Sequence, residues 1–190
     1  PFDLERTGFV LGEGAVLLIL EAEQILQKRG AEPIAEIIGY GTSSDAFSLT
    51  EPAIVGQETA MRLALKDADI RPEEIHYINA HATGTPSGDP VEIQAIKSVF
   101  RDHASNLAIS STKSVHGHLV GASGALEVAI TAMALQQGRI PPTATLTNPD
   151  PECDLDCVPV YGREAPGLRK AVSNSFAFGG SNATLVLQKI

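Results

Sequence analysis

Two stretches of this chain share one layout, and that layout limits the folds open to it. In "IHYINAHATGTPSGDPVEIQAIKSVF" (75–100) and "NLAISSTKSVHGHLVGASGALEVAITAMALQQG" (106–138), a short apolar run runs through a glycine-bearing polar loop straight into a helical pattern. Strand, loop and helix in that order are the units of an α/β domain. The rest of the chain repeats the alternation. The continuous apolar run "GAVLLILE" (14–21) predicts a strand buried on both faces, and "AEQILQKRG" (22–30) a helix stopped by Gly30. "IAEIIGYGT" (34–42) reads as a strand and "QETAMRLALKDADI" (57–70) as an amphipathic helix. "KAVSNSFAFGGSNATLVLQKI" (170–190) reads as two strands joined at a glycine turn, which makes the expected sheet mixed.

Helix 88–100 carries a clear start signal. Asp89 is the expected N-cap, Pro90 the first helical residue, and Glu92 the closing member of a capping-box-like pattern. Helix 121–138 is apolar almost all round and is expected to be buried. Together with "AVLLIL" (15–20) it asks for more cover than this chain alone supplies, so free association is expected of the isolated chain. "PFDLERTGFVLGEGA" reads like the interior of a domain, a charged loop running into a strand.

The formal charge is −9, which argues against a nucleic-acid partner, since phosphate binding needs a basic stripe. "AVLLIL" is far shorter than the roughly 20 apolar residues of a spanning helix, so no membrane segment is expected. Cys153 and Cys157 in "PECDLDC" read as a reduced pair in a cytoplasmic protein.

In open α/β sheets, ligands bind where strands end and helices begin. Three loops hold that position: "HATGTPSGD" (81–89), "KSVHGH" (113–118) and "NSFAFGGSN" (174–182). The first two each combine histidine, a hydroxyl residue and glycine, and the second adds Lys113. Other chemistries fit less well. "GHLVGASG" is not G-x-G-x-x-G, and "VGASGA" misses the hydrolase elbow G-x-S-x-G because Ala125 stands where the second glycine belongs. His116 and His118 would point to opposite sides of an extended chain, a poor geometry for one zinc ion.

"HATGTPSGDPVE", "KSVHGH…GASGALE" and "NSFAFGGSN" resemble the three C-terminal signatures of the β-ketoacyl-acyl-carrier-protein synthases, the condensing enzymes of fatty-acid and polyketide synthesis. "FDLERTGFVLGEGA" and "NPDPECDLDCVP" resemble the same family, nearest its elongating, type-II members. The order and spacing match too, with 37 residues between His81 and His118 and 14 between Lys113 and Glu127.

The resemblance implies a thiolase-like fold of two similar halves. It places residues 1–33 at the end of the first half and 34–190 in the second, a mixed β-sheet packed between helices. It implies decarboxylative condensation of a malonyl unit with an acyl chain held on a cysteine of the first half. Two fixed N–H donors would stabilise the enolate. By resemblance His81 and His118 are catalytic, Lys113 is the active-site lysine and Glu127 belongs to its buried network. Thr83 and Thr85 would contact the pantetheine arm. Phe176, Phe178 and Gly179 would bind substrate, with Phe178 as a gate.

His116 falls where the family usually has threonine, methionine or isoleucine, and is expected behind the site or on the surface. Ala177 and Ser181 replace the more usual glycine and threonine. No bound cofactor or metal is implied, because the substrates ride on the phosphopantetheine of acyl carrier protein. Implied partners are acyl carrier protein, the N-terminal half of the enzyme and a second copy in a homodimer. Two alternatives stay open. A non-catalytic chain-length factor could have lost the two histidines and the lysine. A biosynthetic thiolase would be expected to carry a second catalytic cysteine, which "AFGGSN" lacks.

Overall fold

Alternating side chains of a few short strands build both faces of the core. The structure, a computed structural model, describes residues 1–190. In chain order it contains α1 (Glu23–Arg29), β1 (Glu36–Ser44), α2 (Ile54–Asp67), β2 (Tyr77–Asn79), α3 (Gly88–Phe100), β3 (Ala108–Ser110), α4 (Lys113–His116), α5 (Ser123–Gln137), β4 (Arg139–Ile140), β5 (Arg163–Glu164), β6 (Lys170–Ala177) and β7 (Ser181–Gln188).

Five strands form one sheet in the order β1-β7-β6-β2-β3, and β4 pairs with β5 in a separate ribbon. β1 is antiparallel to β7, and β7 to β6. β2 is parallel to both β6 and β3. The sheet is therefore mixed, as the hairpin at the chain's end predicts.

Helices cover both faces. α2 and α3 pack on one, where Ile78, Val172 and Val186 join Met61, Ile93 and Ile96. α5 packs on the other, where Tyr77, Ala171 and Leu187 meet Val128 and Leu135. Neighbouring residues of one strand thus serve opposite cores, the period of two that a strand imposes. Fully burying a side chain such as Ile78 contributes about 1.5–3 kcal/mol.

Most elements lie where their sequences place them, and Gly30 ends α1 in a left-handed conformation at φ 63°. Three expectations need correction. Residues 14–21 form no strand, and Leu17 and Ile19 are 84% and 81% exposed. An apolar run makes a buried strand only beside partner strands, and this segment joins neither edge of the sheet.

The second correction concerns α3. Ser87, not Asp89, is the N-cap, and Pro90 is the third helical residue, still within the first turn where no N–H is missed. Asp89 accepts hydrogen bonds from the backbone N–H groups of Gly84 (3.0 Å) and Phe2 (2.7 Å). Glu92 accepts from those of His81 (3.0 Å) and Ala82 (2.7 Å). These carboxylates cap other loops instead of their own helix.

The third is α5. Its buried stripe is Ser123, Glu127, Val128, Thr131, Ala134 and Leu135, while Leu126 and Ile130 are half-buried and Met133 is exposed. Polar groups face inward because each has a partner there. No helix is long and apolar enough to cross a membrane.

Candidate active site

Parallel pairing decides where the loops go. β2, β3 and β6 run the same way, so the segments after Asn79, Ser110 and Ala177 leave one edge of the sheet. β1 runs parallel to β6 through their common antiparallel neighbour, so residues 45–53 leave that edge as well. Together they line a cavity of about 830 Å³. His81, Thr83, Thr85, His118, Phe176, Phe178 and Gly179 all reach its wall. Lys113 and Glu127 lie behind it, and neither cysteine reaches it.

The two histidine rings meet edge to face, their centroids 5.5 Å apart. Phe9 packs against His118 at 5.8 Å and Phe176 against His81 at 6.0 Å. The hydrogen bonds around His118 fix its tautomer. Its Nδ1 accepts the backbone N–H of Val120 (3.3 Å) and lies 2.9 Å from Ser123 Oγ. The Val120 N–H marks Nδ1 as an acceptor, so the Ser123 hydroxyl, which accepts the N–H of Leu119 (2.8 Å), turns its own proton to Nδ1. The ring proton must then sit on Nε2. Val120 itself sits at a strained φ of 53°.

Burial pushes the His81 pKa well below its ordinary value, helped by the charge of Lys113. Burial lowers that of His118 too, again helped by Lys113. With both pKa values lowered, the neutral forms dominate at pH 7, and a neutral imidazole can offer an N–H.

Lys113 Nζ forms an ion pair with Glu127 Oε1, the two side chains only 2% and 1% exposed. Burial raises the Glu127 pKa against the pull of Lys113. Glu92, on the far side of the His81 loop, also takes the Asn174 amide (3.1 Å), and burial lifts its pKa to about 7. Thr83 Oγ1 donates to Thr85 Oγ1 (3.3 Å), which also accepts the N–H of Gly88 (3.1 Å).

Phe178 is 66% exposed and so is not a core residue. Gly179 and Gly180 hold φ of 76° and 78°, a region that side-chain-bearing residues resist. The Gly179 N–H bonds Leu49 O (2.9 Å), and the Asp45 N–H bonds Gly180 O (3.0 Å). His116 bonds Gly117 O (2.7 Å) and Thr112 Oγ1 (3.1 Å), half-buried and away from the cavity. Burial pushes the Cys153 thiol up to about 12 and raises that of Cys157 as well, which favours the protonated thiol in both.

The motifs do not mark Phe9, Glu92 as the anchor of the His81 loop, Ser123, or segment 45–53. Glu92 left a trace as a carboxylate three residues into a helix pattern. Ser123 left one in a glycine-flanked helix start.

Residues 34–147 match the model of the β-ketoacyl synthase C-terminal domain. 3-Oxoacyl-[acyl-carrier-protein] synthase 2 of Coxiella burnetii is 50% identical over 192 residues, covering 100% of this chain and 46% of its own length. The ishigamide ketosynthase/chain length factor superposes with TM-score 0.96 at 42% identity, over 100% of this chain and 46% of that one. A type II PKS ketosynthase, in complex with its acyl-carrier protein and bound to the hexaketide, superposes at 0.97 with 35% identity, over 100% and 47%. The chain thus spans about half the length of the relatives it matches.

Proposed function

The chain belongs to the β-ketoacyl synthase family, and from that membership we propose that it forms the C-terminal half of a 3-oxoacyl-[acyl-carrier-protein] synthase. In this reading a preceding half, corresponding to the other half of the relatives, supplies the cysteine that carries the acyl chain. Residues 1–33 close that half and 34–190 form the second. Acyl carrier protein delivers malonyl and acyl groups on its pantetheine arm, two copies form a homodimer, and the protein works in the cytoplasm.

The observation that carries the proposal is the pair of neutral, edge-to-face imidazoles at the cavity wall, with the proton of His118 held on Nε2. Decarboxylation breaks the bond between the malonyl carboxylate and C2. Carbon dioxide leaves and the electron pair moves onto the thioester oxygen. Two N–H groups from His81 and His118 stabilise that oxygen, and neutral rings do so without protonating C2. One such donor is worth about 3–4 kcal/mol. C2 then attacks the acyl thioester, and the cysteine leaves as thiolate. The Lys113 ammonium, charge-balanced by Glu127, adds a favourable field behind both rings. Thr83 and Thr85 would bond the pantetheine arm. Phe176, Phe178 and Gly179 would border the acyl chain, Phe178 as its gate.

A chain-length-factor role is the second reading, motivated by the relative that includes one. The intact histidine pair and buried lysine favour catalysis.

The test separates the half-reactions in the full-length protein. His118→Ala should lower malonyl decarboxylation by about 100-fold or more and leave acyl transfer to the cysteine largely intact. Equal loss in both would assign His118 to activation of the cysteine. A wild-type protein that decarboxylates nothing would favour the chain-length factor.

A further inference from the structure

The buried stripe of α2 has one polar side chain among its apolar ones. Gln57 shares it with Ala60, Met61, Ala64 and Leu65 and is 3% exposed. It lines the cavity, yet its Oε1 is buried without a hydrogen-bond partner. Other polar side chains of this region are already engaged. The Asn182 amide donates to Asp45 (2.9 Å), Gly180 O (3.0 Å) and Ser43 Oγ (3.2 Å). Glu92 is taken up by His81, Ala82 and Asn174, and Asn174 Oδ1 by Thr184 (2.9 Å). The start of α2 packs closely on this cluster, since a Cβ on Gly56 would stand 2.6 Å from Asn182 Nδ2.

A buried amide left unpaired is costly, and an apolar residue would fill the same stripe without that cost. Apolar side chains share the wall with Gln57, among them Phe9, Leu49, Pro52 and Phe176. We propose that Gln57 is a specificity residue that reads a hydroxyl on the acyl chain, so that the cavity takes hydroxylated acyl groups in preference to plain alkyl ones. A hydroxyl donates to Oε1 and accepts from the amide NH₂, and so fits the amide in either orientation. A site built to bond such a group disfavours the analogue that lacks it. The inference rests on the acyl-thioester reading above and names the substrate class within it.

The experiment measures binding without turnover. Stable amide analogues of acyl-pantetheine are titrated into the full-length protein, bearing octanoyl, 3-hydroxyoctanoyl, 6-hydroxyoctanoyl or 8-hydroxyoctanoyl chains. At least one hydroxylated chain should bind about tenfold more tightly than octanoyl, the worth of one net hydrogen bond. Gln57→Met, close in volume, should abolish that preference while keeping octanoyl affinity. If all four chains bind alike, or Gln57→Met leaves the ratio unchanged, the inference is wrong and the acyl-thioester reading stands. If none of the four binds, the acyl-thioester reading fails and the inference with it.

Discussion

Removing Lys113 should cost most of a small domain's stability, and the cost should depend on pH. The Lys113 and Glu127 side chains are 2% and 1% exposed, so no water can take over the charge that Lys113→Met strands. Glu127 Oε2 already lacks a partner, and Oε1 would lose its only one. Breaking one side of a buried pair costs about 3–5 kcal/mol. For a unit of 190 residues that lowers Tm by roughly 6–20 °C at pH 8. The sign with pH follows from Glu127, whose folded pKa is raised above its ordinary 4.5 by burial. The folded state binds that proton more tightly, so stability is full below about 4.5 and falls as pH rises toward the folded value. Without Lys113 the folded value rises further. The gap between wild type and Lys113→Met should therefore shrink at pH 5, where a protonated Glu127 is tolerated. Lys113→Met with Glu127→Leu should recover most of the loss at both pH values. Thermal melts of the four proteins at pH 5 and pH 8 decide. A single-variant cost below about 1 kcal/mol at pH 8, or the same cost at both pH values, would refute the reasoning.

Ser123→Ala should lower decarboxylation about tenfold or more and stability by about 1–2 kcal/mol, because it strands the Leu119 N–H and frees the His118 tautomer; NMR of the ring nitrogens would show mixed tautomers. Glu92, its pKa lifted from 4.5 to about 7, should make the protein lose stability between those pH values. Glu92→Gln should remove that slope in urea titrations, and an unchanged slope would move its origin elsewhere. Arg6 donates to Thr85 O (3.0 Å) and Pro86 O (2.9 Å) and pairs with Asp150, so Arg6→Met should loosen the Thr83–Thr85 loop; faster amide exchange at Gly84 and Gly88 is the readout. Phe178→Ala should blunt discrimination between acyl chain lengths and leave Tm within about 1 °C, as expected of a side chain 66% exposed.

Elements whose reasons are local could be read from the chain. The stretch 88–100 has a helix's spacing of apolar residues, and 170–190 has two strands around paired glycines. Both stand where that spacing puts them because hydrogen bonds within a helix or hairpin join near neighbours. His81 and Lys113 lie just past strand ends and His118 just past α4, and the motifs they sit in resemble the family's signatures, so all three could be named from the chain. What Asp89 and Glu92 do was not legible. Their partners, Phe2 and the His81 loop, are chosen by how distant segments pack, and a carboxylate near a helix start looks the same whether it caps its own helix or another loop. α5 makes the same point. Its apolar composition predicts burial all round, but its inward stripe carries Glu127 and Thr131, because Lys113 and Asn79 wait opposite them. Residues 14–21 have a strand's composition without a strand's partner. The need for a pleated, covered surface is written in those eight residues, but the ladder that would satisfy it is a property of other chain segments. Tertiary structure alone brought Gln57 and the 45–53 segment to the cavity, through the parallel pairing that sends four strand ends to one edge.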